Sequence, residues 1–381
     1  PVRVGPQPLY DVTVTFAPAS GNGNVEATRR VGFRYFALVT GNDTDPEYVK
    51  KNEHTDGTDT LGMLFRVNGA AIYSRGANMI PMEELEGRLS APAHRRLVES
   101  AVEGGMNTLR VWGGGIFYPN EFYDACDELG VLIYHDMQYA QEGHSPKVTS
   151  TQEAEFRHQI RRLSAHPSIV IWDGCNECHV VIGTPTGIYA TFVMTVVVEE
   201  DQSRVVWPSC PALGWSSGVN RLSSLPNGSP LGLNPAFRAN EDPIETHGPY
   251  QHGTGFPSVN GGSTLQPFDP NIPITIKPDA VGLGQKNIFA SEFGCVTMSS
   301  FESMAPTLAP EHWSLHGGSA PDNCTGTHCV GTNVMAERNY PCDSIILAYF
   351  GQRDLDKVGE EAFKSQLYFC MLGQALEMKS N

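Results

Sequence analysis

The chain has 381 residues, enough for one large barrel with a small partner or for two to three average domains. Apolar residues make up 40% of it, and no run approaches the roughly 18 apolar residues of a membrane-spanning helix. The formal net charge of -16 excludes the basic footprint of a nucleic-acid-binding surface and suits an uncharged ligand such as a sugar.

At the N-terminal end, Leu9–Phe16 carries β-branched and aromatic residues at period two. Gly21–Asn24 is a turn and Val31–Val39 alternates again, so a hairpin of these two runs is expected. Two strands alone are not stable, and residues 1–42 are read as the tail of a β-sandwich. Residues 43–60 are polar and read as a linker or an inserted loop. From Met63 the pattern becomes strand, turn and helix, repeated. Met63–Asn68 and Ala70–Tyr73 form a strand pair. Residues 91–104 are helical, with Leu97, Val98, Ala101 and Val102 on one face, Ser90 as N-cap and Gly104 as stop. Thr108–Trp112 is a strand, Glu121–Leu129 a helix stopped by Gly130, Val131–His135 a strand and Gln152–Ser164 a helix.

Ile169–Trp172 is a short apolar run that breaks at Gly174 and presents Asn176 and Glu177. A strand covered on both faces reads in this way. Arg204–Trp207 is a further strand, and the Gly-, Pro-, Ser- and Asn-rich residues 208–285 read mostly as loop. Asn287–Ser291 repeats the earlier design, an apolar strand with Glu292 at its exit, and Asp343–Lys379 reads as helix. Strands alternating with helices indicate a parallel sheet. Barrel-type strands end near Asn78, Trp112, Asp136, Glu177, Pro208, His247 and Glu292. The expected fold is α/β, a (β/α)8 TIM barrel over residues 61–381 that lacks its closing strand at the C-terminal end.

Nine cysteines are an odd number, so at least one has no partner within the chain. Cys324, Cys329 and Cys342 cluster in a loop-like stretch that is open to a disulfide or to free thiols. Cys175 and Cys178 have C-x-x-C spacing but no second pair, so buried inert thiols are expected there and no zinc site. His135, His144 and His179 have no metal-ligand spacing, and Gly113–Gly115 lacks the residues of a phosphate loop. Sequons at Asn42, Asn227 and Asn323 point to a secretory or lysosomal route.

Carboxylates at the ends of barrel strands sit where such barrels place their chemistry. Retaining glycoside hydrolysis needs two of them about 5 Å apart, an acid for the leaving oxygen and a nucleophile for the anomeric carbon. Glu177 and Glu292 are the candidates, and Asn176 suits a sugar hydroxyl beside the reacting carbon. Arg110, inside a buried strand, demands a partner. A site carboxylate fits, either to hold Glu292 ionised or as a structural ion pair. Trp112 is placed to stack on a sugar or to cap the core, and Asp136 to bind hydroxyls or to cap a helix. No metal or other cofactor is expected.

The runs Asn107–Gly115, Glu121–Gly130 and Arg162–Trp172, together with Asn176-Glu177 and Ala290–Gly294, resemble the β-mannosidases of glycoside hydrolase family 2. Val67-Asn-Gly69 and Gly76–Pro81 extend the resemblance, which runs from about residue 5 to the C-terminus and is weakest over 210–285. The resemblance implies that Glu177 is the general acid/base and Glu292 the nucleophile. It implies hydrolysis of terminal non-reducing β-D-mannose with retention, acting on a β-linked mannose-containing glycan. It also makes residues 1–42 the end of an immunoglobulin-like β-sandwich domain, and adds Asn78, His247 and Tyr250 to the substrate-binding residues. The chain departs from the family at Met79, where the family has Trp, and at Trp172-Asp-Gly-Cys-Asn-Glu177, where mannosidases have Trp-Ser-Gly-Asn-Asn-Glu. The alternatives are the same mechanism on a galactoside, glucuronide or glucosaminide, and a non-catalytic glycan-binding relative.

Overall fold

The computed structural model describes residues 6–21, 23–39, 44–51, 64–83, 85–140, 148–177, 245–247, 289–294 and 297–315, and parts of 192–210 and 324–380. The chain divides into two units, Pro1–Thr246 with Lys286–Ser291, and His247–Gln285 with Glu292–Asn381. The sequons at Asn42, Asn227 and Asn323, and nearly all of the expected loop 208–285, lie outside the described residues. No helix among the described residues is long and apolar enough to cross a membrane.

The first unit opens with β1 (Tyr10–Phe16) and β2 (Val25–Val31), an antiparallel ribbon in register from Tyr10↔Val31 to Phe16↔Val25. The expected partner of β1 was Val31–Val39, so the pairing is corrected. Val25–Val31 is exposed along most of its length, and its consecutive polar residues Thr28, Arg29 and Arg30 disguise a strand. The run Val31–Val39 breaks at Gly32, where an added Cβ would stand 2.8 Å from the Pro167 ring. Its remainder, β3 (Phe36–Val39), pairs with β4 (Leu64–Val67), which pairs with β5 (Ala70–Ile72). A short helix, α1 (Pro46–Lys51), lies in the expected linker. The β4–β5 turn has positive φ at both central residues, 51° at Asn68 and 84° at Gly69, as a two-residue hairpin turn requires.

The parallel sheet follows. Its order is β10 (Val205–Trp207), β9 (Ile169–Asp173), β8 (Leu132–Asp136), β7 (Thr108–Val111) and β6 (Gly76–Met79). Helices α2 (Ala91–Glu103), α3 (Asn120–Leu129) and α4 (Ser150–Leu163) connect β6 to β9. Their ends follow local chemistry. Gly130, in the left-handed conformation, stops α3. Thr149 and Gln152 form a reciprocal capping box that starts α4. Gly76 lets β6 approach β7, because a Cβ there would lie 1.9 Å from the Thr108 carbonyl oxygen.

Strand side chains alternate between the two faces. Leu109, Val111, Ile133, Ile169 and Trp172 pack with Val98, Phe122, Tyr123, Phe156 and Ile160 of the helices. On the other face, Tyr134, Val170, Ile171 and Val205 join Phe36, Leu38 and Phe65 of the antiparallel sheet in a second cluster. That cluster fastens the small sheet onto the large one. The five neighbouring parallel strands match five of the seven expected. The other two, β11 (Glu245–His247) and β12 (Phe289–Glu292), form a two-stranded sheet of their own. The described residues therefore show a parallel core behind smaller antiparallel sheets.

In the second unit, α5 (Phe301–Met304) precedes the two-residue strands β13 (Cys324–Thr325) and β14 (His328–Cys329). The single helix expected over 343–379 is two helices, α6 (Cys342–Phe350) and α7 (Glu360–Ser380). Gly351 and Gly359, at φ of 71° and 121°, turn the chain between them. A Cβ on Gly373 would stand 1.9 Å from Ile345, so this glycine permits the close approach of α6 and α7. A disulfide between Cys342 and Cys370 joins them. Leu315, Ile346, Phe363 and Leu367 form the core of this unit.

Candidate active site

The exits of β6 to β9 carry a buried polar layer on the face away from the helices. In register, Asn78 lies beside Arg110, and Asp136 beside Asp173. Arg110 is the centre of the layer. It donates from Nε to Asp136 Oδ1 at 3.0 Å and from Nη2 to Asp136 Oδ2 at 2.6 Å. It also bonds Asn78 Oδ1 at 3.1 Å and Asn176 Oδ1 at 2.8 Å. The Tyr134 ring lies under the guanidinium, 5.3 Å from Cζ. The carboxylate that partners Arg110 is thus Asp136, which also accepts the Gly113 N–H at 2.9 Å. Burial works against the Arg110 charge, but Asp136, Cys210, Tyr134 and Asp173 together outweigh it and hold the guanidinium well above its ordinary range.

Asp173, unassigned by the motif reading, is fully buried. It accepts from the Tyr134 hydroxyl at 2.6 Å and from the Cys175 N–H at 3.2 Å. Burial pushes this carboxyl well above the usual carboxylate range, and the Asp136 charge pushes it further, against the pull of Arg110. The available sequence signal was an ionisable residue closing an otherwise apolar strand.

Beyond β9 the chain is pinned on both sides. Asn176 N–H donates to Tyr139 O at 2.9 Å, and Cys210 N–H to Cys175 O at 3.0 Å. Glu177 N–H donates to Cys210 O at 2.6 Å. Glu177 has φ of 55°, a left-handed conformation that non-glycine residues rarely adopt and that these bonds over-determine. Gly113 makes room for this arrangement, since a Cβ there would meet Tyr139 O at 2.1 Å and Asn176 N at 3.2 Å. Cys175 is disulfide-bonded, which corrects the expectation of an inert thiol, whereas Cys126 and Cys210 are buried cysteines outside any disulfide.

The remaining candidates are placed as follows. Trp112 is half-buried, with its ring folded onto Gly114, where an added Cβ would stand 2.0 Å away. Met79, at the position where the resemblance has a tryptophan, is a core residue. Glu292 ends β12 and His247 ends β11, and both belong to the second unit. Tyr250 lies outside the described residues, as do His144 and His179. His135 points to the helix face, between the Tyr123 hydroxyl at 2.8 Å and the Asp136 carbonyl at 2.7 Å. Burial takes its pKa down to about 4, so it is a neutral core histidine at neutral pH.

Asp124, Asp127 and His166 bring ligand-type atoms within 4.8 Å of one another. Each is engaged already. Asp127 accepts from Ser168 N–H and bonds His166 at 2.7 Å, and Asp124 pairs with Arg30. They form a joint between α3, β2 and the loop entering β9.

The parallel core behind smaller antiparallel sheets is consistent with a TIM-barrel plus sandwich-like architecture. A solved β-D-mannosidase from Dictyoglomus thermophilum superposes with a TM-score of 0.59 over 93% of this chain and 36% of that one. At 22% identity the likeness is one of fold. In sequence, the chain is homologous over part of its length to β-mannosidases. The Rattus norvegicus protein is 33% identical over 228 residues, 55% of this chain, and the Capra hircus protein 34% over 229. β-Mannosidase A of Aspergillus oryzae is 24% identical over 97% of this chain. The chain spans about a quarter of the length of the two mammalian relatives, 24% in each case. No family model matches it.

Proposed function

We propose that this protein is a retaining glycosidase that hydrolyses terminal non-reducing β-D-mannose residues. Glu177 is the general acid/base and Glu292 the nucleophile. The observation that carries the reading is the pinned Asn176-Glu177 exit of β9, clamped through Arg110, in a chain homologous to β-mannosidases. A fixed backbone at Glu177 supplies the orientation that proton transfer to a glycosidic oxygen needs.

In this mechanism Glu292 attacks the anomeric carbon while Glu177 protonates the departing oxygen. Glu177 then takes a proton from the water that releases the sugar from the covalent intermediate. Asn176, with its carbonyl oxygen held by Arg110, keeps its amide N–H groups for a sugar hydroxyl. The substrate is a β-linked mannose-containing oligosaccharide. The sequons, and a disulfide such as Cys342–Cys370, support a secreted or lysosomal protein. Enzymatic removal of N-glycans should then increase the gel mobility of the natively produced protein.

The test is turnover of a panel of aryl β-glycosides by the wild-type protein, E177Q and E292Q. Mannoside turnover with both variants at background supports the assignment. Turnover of only a galactoside, glucuronide or glucosaminide replaces the sugar and keeps the mechanism. Mannoside binding with wild-type turnover no higher than that of E292Q makes the protein a glycan binder.

A further inference from the structure

Asp136 and Asp173 face each other across β8 and β9, at 1% and 0% exposure. Side chains at directly paired positions of neighbouring strands project from the same face of the sheet, so the two carboxyl groups are neighbours in the buried layer. Two carboxylates have no hydrogen to offer each other, so a bond between them requires one to be a carboxylic acid. The charge balance agrees. One guanidinium, Arg110, is the buried cation of the layer, and its fork grips Asp136. Among the described residues, the donors to Asp173 are neutral, the Tyr134 hydroxyl and the Cys175 N–H. Of the titratable groups around the pair, Arg110 on β7 bonds Asp136, Tyr134 on β8 bonds Asp173, and Cys210 beyond β10 acts on Arg110.

We propose that Asp173 is a positioning residue: a carboxylic acid at neutral pH that donates its proton to ionised Asp136 and thereby fixes the Arg110 fork holding Asn176 beside Glu177. Two routes lead from it to the site. One runs through Asp136 and Arg110 to the Asn176 amide at 2.8 Å. The other is the Cys175 N–H, which ties the same carboxyl to the residue before Asn176. Loss of the proton places two buried negative charges side by side against Arg110, and loosens both routes. The shared proton stands on the buried geometry, and its service to Glu177 rests on the function proposed above.

The sign of the pH effect follows. An aspartate that holds its proton more tightly when folded than when unfolded stabilises the fold at low pH. That contribution is lost as pH rises through the folded value. Asp173→Asn keeps the shape, a neutral group and a donor towards Asp136, whereas Asp173→Ala removes the shape and the donor. The infrared spectrum of the wild type at pH 7 should contain a protonated-carboxyl C=O band that D173N lacks. The melting temperature of D173N should match the wild type near pH 6 and exceed it by about 2–4 °C towards pH 9. D173A should lie below both throughout. Other titrating groups, His135 included, are common to all three and cancel in the differences.

Absence of the band, or a D173N that falls behind the wild type as pH rises, overturns the shared proton. In turnover of an aryl β-mannoside, D173A should lose about tenfold in kcat and D173N should recover most of it. Unchanged kcat in D173A overturns the positioning role. If the wild type itself turns over no β-mannoside, the functional reading fails, and the infrared and melting measurements still decide the proton.

Discussion

Arg110 concentrates the candidate site at the scale of single residues. It is 4% exposed and bonds three side chains from three other stretches of chain. Removing it leaves Asp136 buried without a cation. Arg110→Met should therefore destabilise by about 3–5 kcal/mol in urea unfolding, and R110M/D136N should recover part of that. A loss below about 1 kcal/mol would show that the pair is solvated in solution. His135 makes the opposite pH prediction to Asp173. Its folded pKa of about 4 lies below the ordinary value, so the unfolded chain takes up the proton first and acid destabilises the fold. Wild-type stability should fall by about 3 kcal/mol between pH 6.5 and 4 on this account. His135→Gln should lack that component, as melting curves over the same range would reveal. The need for a partner to Arg110 was legible in its position inside a buried strand. That the partner is Asp136 was not, because the pairing depends on which strands become neighbours.

At the scale of elements, the turn after β7 and the exit of β9 depend on each other. Gly113 lies against Tyr139 O and Asn176 N, so Gly113→Ala forces backbone atoms apart. A loss of more than about 2 kcal/mol is expected, with kcat lowered because Asn176 moves. Full retention of both in a denaturation and turnover assay would show that the two segments yield easily. Element ends were legible where a local residue sets them, as Ser90, Gly104 and Gly130 do. The Asn68-Gly69 turn was legible for the same reason. The pairing of β1 differs from the expected one because Thr28, Arg29 and Arg30 of β2 are consecutive polar residues on an exposed ribbon, which breaks the period-two signal. The helix over 343–379 was read through Gly351 and Gly359 because apolar residues continue on both sides of them.

The whole molecule contains two units, and the two glutamates of the proposed mechanism fall one in each. In the second unit, the Cys342–Cys370 disulfide closes a loop with a sequence separation of 28. Replacing both cysteines with alanine should cost about 3 kcal/mol, mainly through the unfolded state. Limited proteolysis should then cut α6 or α7 sooner than in the wild type. Unchanged resistance would place the stability of that unit in the Leu315–Phe363 core instead. The sequence by itself determined the repeated strand–helix elements, most of their ends, and the carboxylates at two strand exits. These are written in local periodicity and in single capping residues. Only the tertiary structure decided which strands are neighbours, that Arg110 grips Asp136, that Asp173 completes the buried layer, and that Cys342 joins Cys370. Each of these brings together residues far apart in the chain, and burial gives them their strength. Low dielectric and the absence of water turn an ordinary aspartate at the end of β9 into part of a charge-balanced layer.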